Sequence, residues 1–333
     1  MNATLQDVCR KTGLSTATIS RVLNDSPLVT EPTRRRVLKA VEALAYRPSH
    51  AARTLARRCT DTLGVVFPRI GSGFYTEILQ GIDEIAAAHG FHLVTAFAHG
   101  LRDEKELMTQ FMRGDRVDAA ILLNLDFRDP SLFQLGTQHV PVVLIDEPIP
   151  GADLSVVEID NRGGAEAAMM HLLGHGYRDI AVIAGPPGNY DSDARLESCL
   201  TVANRIGVTI PEERLFFGNF TSESGETIAQ QWFDEGRPIP RAILALNDVM
   251  ALGVMETLRA HGLRVPEDVA LAGMDDCEAA SYVGLTTVHV PIRDMGREAC
   301  RIAVAHIKGA LTVEKRVMPT QLITRRTCGC SEG

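Results

Sequence analysis

Residues 4–25 read TLQDVCRKTGLSTATISRVLND, and residues 30–49 read TEPTRRRVLKAVEALAYRPS. In the first stretch Leu5, Val8 and Cys9 recur at helical spacing, and Gly13 then breaks the pattern. Ser15 stands where a cap starts a second helix, on which Ile19, Val22 and Leu23 fall at i, i+3 and i+4. In the second stretch Thr30 is a third candidate cap. Val37, Leu38, Val41, Leu44 and Ala45 form the apolar stripe that follows it. Three short helices with a glycine turn between the first two describe a helix-turn-helix. The second helix leaves Thr16, Ala17, Thr18, Ser20 and Arg21 off its apolar face. These are small or hydrogen-bonding groups near a helix N-terminus, the end that a recognition helix pushes into a major groove.

The charge distribution agrees with a nucleic-acid role for this segment. The 333-residue chain carries a net charge of −8. Residues 1–59 nevertheless hold eleven Lys/Arg against four Asp/Glu, and the remainder 23 against 38. A basic module is therefore joined to an acidic body. Arg47-Pro48 stops the third helix, because the residue before proline avoids the α region. Residues 49–56 favour helix, but about eight residues are too few to persist alone in water. They read either as a solvated linker or as a helix that orders only against a partner.

From residue 62 short apolar runs alternate with helical segments. The runs are 63–67, 91–94, 119–123 and 142–145, then 180–184, 242–245 and 269–272. Candidate helices cover 74–89, 104–113, 161–175, 193–206, 222–235, 247–261 and 294–308. Continuous apolar strands alternating with helices imply doubly wound parallel sheets, here in two series and hence two α/β lobes. Ligands of such sheets bind outside the carboxyl ends of the strands, so facing lobes place a site in the cleft between them. Asp146, Asn247 and Asp275 end strands of this kind. Two carboxylates and an amide, with an aromatic face, suit a polyhydroxylated ligand, whose hydroxyls need donors and acceptors and whose apolar face stacks on a ring.

The amino-terminal stretches resemble the head of the lactose/galactose-repressor family without a gap through residue 49 and beyond. The body resembles the periplasmic-binding-protein-like sensor of the same family through FYTEILQGIDEIAAAHGF, VPVVLIDEP, IDNRGGAEAAMMHLLGHGYRDIAVIAGP and LALNDVMALGVMETLRAHGLRVPEDVALAGMDD. The resemblance implies a fold with an all-α head over residues 1–46, a hinge helix and linker over 47–60, and a two-lobed sensor over 61–330. The N-lobe would be 61–159 plus 292–318 and the C-lobe 160–290 plus 320–330.

By the same resemblance Thr16 and Ala17 read base edges, with Ser20 and Arg21 beside them. Leu5, Ser15, Asn24, Thr30 and Thr33 would contact the DNA backbone and fix register. Paired hinge helices would carry Ser49, Ala52, Arg53 and Leu55 to the minor groove, with Leu55 as an apolar wedge. Phe74, Asn124, Asp146, Arg195, Phe220, Asn247 and Asp275 would line the effector site. The expected function is a repressor that binds a pseudopalindromic operator in double-stranded DNA as a homodimer, under allosteric control by a sugar, sugar acid or sugar phosphate. Segments 74–89 and 277–285 would form the dimer faces, with no coiled-coil tetramer, since no leucine heptad follows. Ser198 and Cys199, Gly71-Ser72-Gly73 and Val283-Gly284 depart from the family pattern and bear on which ligand is bound.

Other readings find less support. A transporter's solute-binding protein would share the lobes but lack the basic head. An α/β enzyme would need a nucleophile elbow or phosphate loop, and neither spacing occurs, so no catalytic residue is expected. No apolar run approaches the roughly 20 residues of a membrane span, and the N-terminus has no signal-peptide core, so a cytoplasmic protein is expected. Seven scattered cysteines fit a reducing compartment. Cys328-Gly329-Cys330 has no second cysteine pair and reads as a frayed tail, and His171 and His175 as exposed residues at a helix end. No metal and no cofactor are expected.

Overall fold

The computed structural model describes residues 3–23, 26–46, 59–68, 73–98, 101–112, 116–123, 140–310 and 312–330. Its contacts divide the chain into two units, Met1–Thr60 and Asp61–Gly333.

The first unit holds α1 (Leu5–Thr12), α2 (Thr16–Leu23) and α3 (Glu31–Ala43). Thr4 and Asp7 form a reciprocal capping box at the start of α1, and Gly13 at φ +63° closes its end by donating to the Cys9 carbonyl at 2.7 Å. Both ends of this eight-residue helix are thus satisfied by its own sequence. Val8, Ile19, Val22, Val37, Ala40 and Tyr46 make the core of the unit. Each fully buried aliphatic side chain there contributes about 1.5–3 kcal/mol. Thr30 occupies the cap position of α3, but its hydroxyl bonds Thr33 Oγ1 at 3.0 Å and caps no amide. Pro32, in the first turn of α3, has no amide to satisfy.

The strands of the second unit are β1 (Thr62–Phe67), β2 (His92–Phe97), β3 (Ala119–Leu123), β4 (Val142–Ile145), β5 (Ser155–Ile159), β6 (Ile180–Ala184), β7 (Leu215–Phe217), β8 (Ala242–Ala245), β9 (Ala270–Ala272), β10 (Thr287–His289), β11 (Lys315–Met318) and β12 (Gln321–Ile323). The helices are α4 (Gly73–Ala88), α5 (Leu101–Met112), α6 (Asn161–Gly174), α7 (Tyr190–Arg205), α8 (Ser222–Asp234), α9 (Asp248–Ala260), α10 (Glu278–Val283) and α11 (Ile292–Ile307). One sheet runs β11-β5-β4-β3-β1-β2 and another β7-β6-β8-β9, with every neighbouring pair parallel. The antiparallel pair β10-β12 adjoins the second sheet, since Ala272 bridges Thr286 and Asp275 bridges His289. The chain therefore passes between lobes three times: after β5, after β10 and after β11.

Burial explains which strands the sequence announced. β1, β3, β4, β6 and β8 are buried along their whole length, because helices cover both faces of a parallel sheet. The edge strand β2 begins at His92 and continues to Phe97, half-exposed, with Val94 45% accessible. β7, β11 and β12 are short, and no residue of theirs is fully buried. α7 starts at Tyr190, three residues earlier than its apolar pattern, because the Asn189 side chain caps it by accepting from Ser192 N at 3.0 Å.

Each lobe carries one close helix crossing made by a reciprocal pair of glycines. On α4 and α11, a Cβ at Gly81 would collide with the Arg293 carbonyl, and one at Gly296 with the Ile78 carbonyl. On α8 and α9, a Cβ at Gly225 would collide with the Met250 carbonyl, and one at Gly253 with the Ser222 carbonyl. Backbone meets backbone at both crossings, so hydrogen is the one side chain that fits there.

Candidate functional site

In the head, Ser15 Oγ accepts from Thr18 N at 3.2 Å and so caps α2. Ile19 and Val22 turn into the core. The opposite face of α2 leaves Thr16, Ala17 and Arg21 exposed and Ser20 half-buried. Leu5 packs partly against the core at the start of α1, while Thr30 and Thr33 stand at the start of α3. The starts of α2 and α3 present backbone amides and hydroxyls, the chemistry that holds a phosphate, whereas at α1 the Thr4 amide and hydroxyl are taken by Asp7. Asp7 is held below the usual carboxylate range by its hydrogen bonds to the Thr4 hydroxyl and amide, with Arg10 adding to them. Asn24, Ser49, Ala52, Arg53 and Leu55 lie outside the described residues.

In the second unit, the polar groups expected to bind a ligand converge at the carboxyl ends of β6, β8 and β9. Arg195, on α7, is 3% exposed. Its Nε donates to Asn161 Oδ1 at 2.7 Å and its Nη1 to the Leu246 carbonyl, just past β8, at 2.7 Å. The same Nη1 lies 3.6 Å from Asp275 Oδ1. Asn161 Nδ2 in turn donates to Asp191 Oδ1 at 2.7 Å. Asp191 precedes Arg195 by four residues, so both lie on one face of α7. A planar guanidinium held at three points has one orientation, which suits it to meet a ligand without reorganising.

Two carboxyl groups, Asp275 and Asp191, act on this guanidinium, and a third, Asp248, lies close enough to act on Asp275. Burial pushes the Asp275 carboxyl up to about 8 against the pull of Arg195, and the charges of Asp248 and Asp191 push it the same way. Burial raises Asp191 too, against Arg195 and the Asn161 amide. Asp248 is raised to about 6 by burial, although it accepts from Thr287 Oγ1 at 2.5 Å and from the Cys277 amide at 2.8 Å. Asp275 has φ +124° and Asp276 φ +59°. Two consecutive residues held at positive φ mark a loop fixed against local preference. Arg325, donating to Asp276 at 2.6 Å, helps to fix it.

Asn247 caps α9 by accepting from Met250 N at 2.9 Å, and its amide donates to the Phe220 carbonyl at 3.4 Å. Its side chain is thus engaged in holding the loop that carries Phe220. Phe220 sits at φ +63°, with its ring against Gly185, where any Cβ would strike ring carbons. The structure therefore brings Arg195, Phe220, Asn247 and Asp275 together on one lobe. On the other lobe, Asp146 follows β4, 1% exposed and at φ +77°, with its amide donating to Val157. Phe74 stands half-buried at the start of α4, edge-on to Tyr75. Asn124 lies outside the described residues.

Sequence reasoning missed Asn161, Asp191 and Asp248. It also missed Tyr190, whose phenol donates to Glu158 Oε1 on β5 at 2.9 Å. The signal that points to Asn161 is its place immediately after the first crossover. The expectation of a frayed carboxyl tail is corrected. Cys328 is fully buried and packed in the main core, with Cys330 partly buried against it. His171 and His175 are drawn to these thiols: His171 Nε2 is 3.1 Å from Cys328 Sγ, and His175 Nε2 is 3.2 Å from Cys330 Sγ. The histidines are the second pair that the Cys-Gly-Cys sequence lacked.

Comparison with known proteins settles the class. Residues 4–49 match the bacterial regulatory proteins, lacI family, and residues 169–328 match the periplasmic binding protein-like domain. The HTH-type transcriptional regulator CelR of Thermobifida fusca is 35% identical, over 97% of this chain and 98% of its own. The chain belongs to the lacI family. Another relative, the HTH-type transcriptional repressor CytR of Escherichia coli K12, is 32% identical over 97% of this chain and 95% of its own.

Solved structures agree with this lacI-family assignment. A lac repressor dimer bound to operator and the anti-inducer ONPF superposes with a TM-score of 0.86 at 26% identity, covering 98% of this chain and 99% of that one. A CelR–cellobiose complex superposes at 0.73 with 33% identity, covering 98% and 99%. The helix-turn-helix head and the two parallel-sheet lobes are those of a DNA-binding transcription regulator with a periplasmic-binding-protein-like sensor. Among the described residues no helix is long and apolar enough to cross a membrane.

Proposed function

We propose that this regulator is a cytoplasmic repressor that binds a pseudopalindromic operator as a homodimer and is controlled by a sugar or sugar derivative held between its lobes. Residues 1–46 form the reading head, 47–60 the hinge, and 61–330 the sensor. The observation that carries the reading is the buried constellation of Arg195, Asn161, Asp191 and Asp275. It offers a guanidinium, an amide and carboxyl groups at strand ends and at the first crossover, with the Phe220 loop tied to the same end of β8 through Asn247. Sugar hydroxyls both donate and accept, so they match a site that mixes a fixed cation with carboxyls. Phe74, Asn124 and Asp146 supply the opposing wall. The solved relatives carry cellobiose in one case and operator DNA in another, which supports the same pairing of roles here.

Control follows from the three crossovers. A ligand that binds one arrangement of the lobes more tightly shifts the population toward it. The hinge segment, with Leu55 as its wedge, orders on DNA in one arrangement and not in the other. Coupling of this kind is reciprocal: a ligand that lowers operator affinity binds the operator complex more weakly by the same factor.

The test has two arms. Selection from a randomised duplex library at moderate ionic strength is expected to return a dyad-symmetric sequence. A thermal-shift screen of sugars, sugar acids and sugar phosphates is expected to return at least one ligand that also changes operator affinity. Failure of the first arm, with and without metabolites, overturns the operator reading. Failure of the second, with nucleosides and amino acids succeeding instead, overturns the sugar reading.

A further inference from the structure

We propose that His171, His175, Cys328 and Cys330 form a tetrahedral zinc site that clasps the carboxyl-terminal residues to the end of α6. The four candidate ligand atoms lie within 4.8 Å of one another. His171 Nε2 stands 3.1 Å from Cys328 Sγ and 3.6 Å from Cys330 Sγ, and His175 Nε2 stands 3.2 Å from Cys330 Sγ. A zinc ion with Zn–S of about 2.3 Å and Zn–N of about 2.0–2.1 Å places its ligand atoms roughly 3.3–3.8 Å apart. These three sulfur–nitrogen distances are within a few tenths of an ångström of such a tetrahedron's edges, and the remaining pairs, all within 4.8 Å, close onto it with a shift of about 1 Å or less. The two imidazole rings are 4.8 Å apart and nearly perpendicular, an arrangement that lets both Nε2 atoms face one point.

The sequence builds this geometry from two short motifs. His171-x-x-x-His175 puts both rings on one face of α6, at its last turn and its cap. Cys328-Gly329-Cys330 needs a sharp reversal to turn both sulfurs the same way, and Gly329 provides it at φ +91°. The single-residue spacing of the cysteines is tighter than the usual two to four of structural zinc sites, and the glycine is what makes it workable. Neither motif is sufficient alone, and a separation of 157 residues between His171 and Cys328 hides the pair in the sequence.

A second layer supports the sulfur. Thr286 Oγ1 accepts from the Arg325 amide at 2.9 Å, which leaves its own proton to donate to Cys328 Sγ at 3.0 Å. A hydroxyl aimed in this way at a buried sulfur stabilises a thiolate. The tail is also held on the sheet by Thr327, whose Oγ1 donates to the Leu271 carbonyl at 2.7 Å. On binding, each thiol gives one proton to solvent and the imidazoles coordinate as neutral bases, so two protons leave for each ion taken up. Two thiolates cancel the ion's two positive charges. A neutral cluster is the form that a site with one fully buried ligand tolerates. The ion class follows from the donors: two sulfurs and two nitrogens in a tetrahedron select zinc among the common divalent ions.

The experiment uses the full chain, purified under reducing conditions, stripped with chelator, and titrated with zinc or cobalt. One ion per chain is expected, together with thiolate-to-cobalt charge transfer and tetrahedral visible absorption. His175→Ala, at an exposed position, and Cys330→Ser are each expected to lower zinc affinity at least about tenfold, and Thr286→Val about tenfold through the thiolate. The wild-type titration does not depend on whether any variant folds. Absence of a stoichiometric ion in the reduced wild-type chain overturns the proposal. So does a cobalt spectrum without sulfur charge transfer, undiminished zinc in Cys330→Ser, or a Cys328–Cys330 disulfide whose reduction yields no metal uptake.

Discussion

Tyr190 Oη donates to Glu158 Oε1 at 2.9 Å, which ties the first turn of α7 in one lobe to β5 in the other. The phenol is pushed up to about 12 by burial and by the neighbouring Glu158 carboxylate, so it stays a donor throughout the physiological range. The bond sits two residues before Asp160, where the chain first changes lobes. Tyr190→Phe is expected to cost about 1 kcal/mol or less of stability, because the bond is partly solvated. It should change effector affinity several-fold by altering the balance of lobe arrangements. Calorimetric titration and thermal melts of the two proteins separate these effects. Equal effector affinity in both removes Tyr190 from the lobe equilibrium.

Arg195→Ala removes the donor to Asn161 and to the Leu246 carbonyl and the cation beside Asp191 and Asp275. Leaving a buried polar group without its partner costs about 1–3 kcal/mol, so a clear fall in Tm is expected. Arg195 holds both carboxyls below where burial alone would put them, so its removal raises them further and the loss of Tm should grow as pH rises. Arg195→Lys, which keeps the charge but not the fork, should lose less stability and still lose effector response. Full effector response in the lysine variant removes the guanidinium from the site.

Asp275 gives a pH dependence with a definite sign. Its proton is kept up to about 8 in the fold but is lost near the ordinary 3.8 in the unfolded chain. The unfolded state therefore binds fewer protons across that window, and stability falls as pH rises through it. The contribution is complete below 3.8 and gone above about 8. Asp248, raised to about 6, adds a fall of the same sign that is complete earlier. Asp275→Asn, which mimics the protonated form, should flatten the decline in Tm between about pH 5 and pH 8. Parallel melting curves for wild type and variant contradict the assignment.

The Phe220 ring rests on Gly185, where a Cβ has no room. Gly185→Ala should destabilise by about 1–3 kcal/mol through overpacking and should displace the ring from the effector site. Because the collision is with one side chain, Phe220→Leu should recover much of the stability in the double variant, but not the effector affinity. A double-mutant cycle measures this coupling, and additive losses would show that the ring is not the neighbour that matters.

These relationships divide by how local they are in sequence. The head was legible because its caps, glycine turn and apolar stripes lie within a few residues of one another, as the Ser15 cap and Gly13 show. The central strands β1, β3, β4, β6 and β8 were legible because helices bury both faces, leaving unbroken runs such as residues 119–123, whereas β5 escaped because Ser155 and Glu158 interrupt its apolar run. The edge strands β7 and β11 were not, since one face meets water and their composition is mixed, and β2 was legible only over its first half, residues 92–94. Arg195, Phe220, Asn247 and Asp275 were placed by strand ends and by resemblance. Asn161 escaped because an amide 34 residues from the arginine it orients leaves no periodic trace, and Asp191 because it precedes the helix expected over 193–206, which in fact starts at Tyr190. The buried tail escaped for the same reason: Cys328 is fixed by His171, Thr286 and the main core, all distant in the chain.

The head supports a prediction that separates reading from wedging. Arg21 is exposed in the last turn of α2, on the face opposite Ile19 and Val22. Thr16 and Ala17 offer a hydroxyl and methyl groups, and neither makes the paired bonds of a guanidinium to guanine. Arg21→Ala should therefore cost about 1–3 kcal/mol at the operator and relax preference at one position of each half-site. Leu55→Ala removes no charge and no base-edge contact. It should weaken operator binding through loss of the kink while leaving the salt dependence and effector affinity near those of wild type. Selection on randomised duplexes at two salt concentrations distinguishes the two variants. An Arg21→Ala protein that keeps the full sequence preference would leave discrimination to DNA shape and the hinge alone.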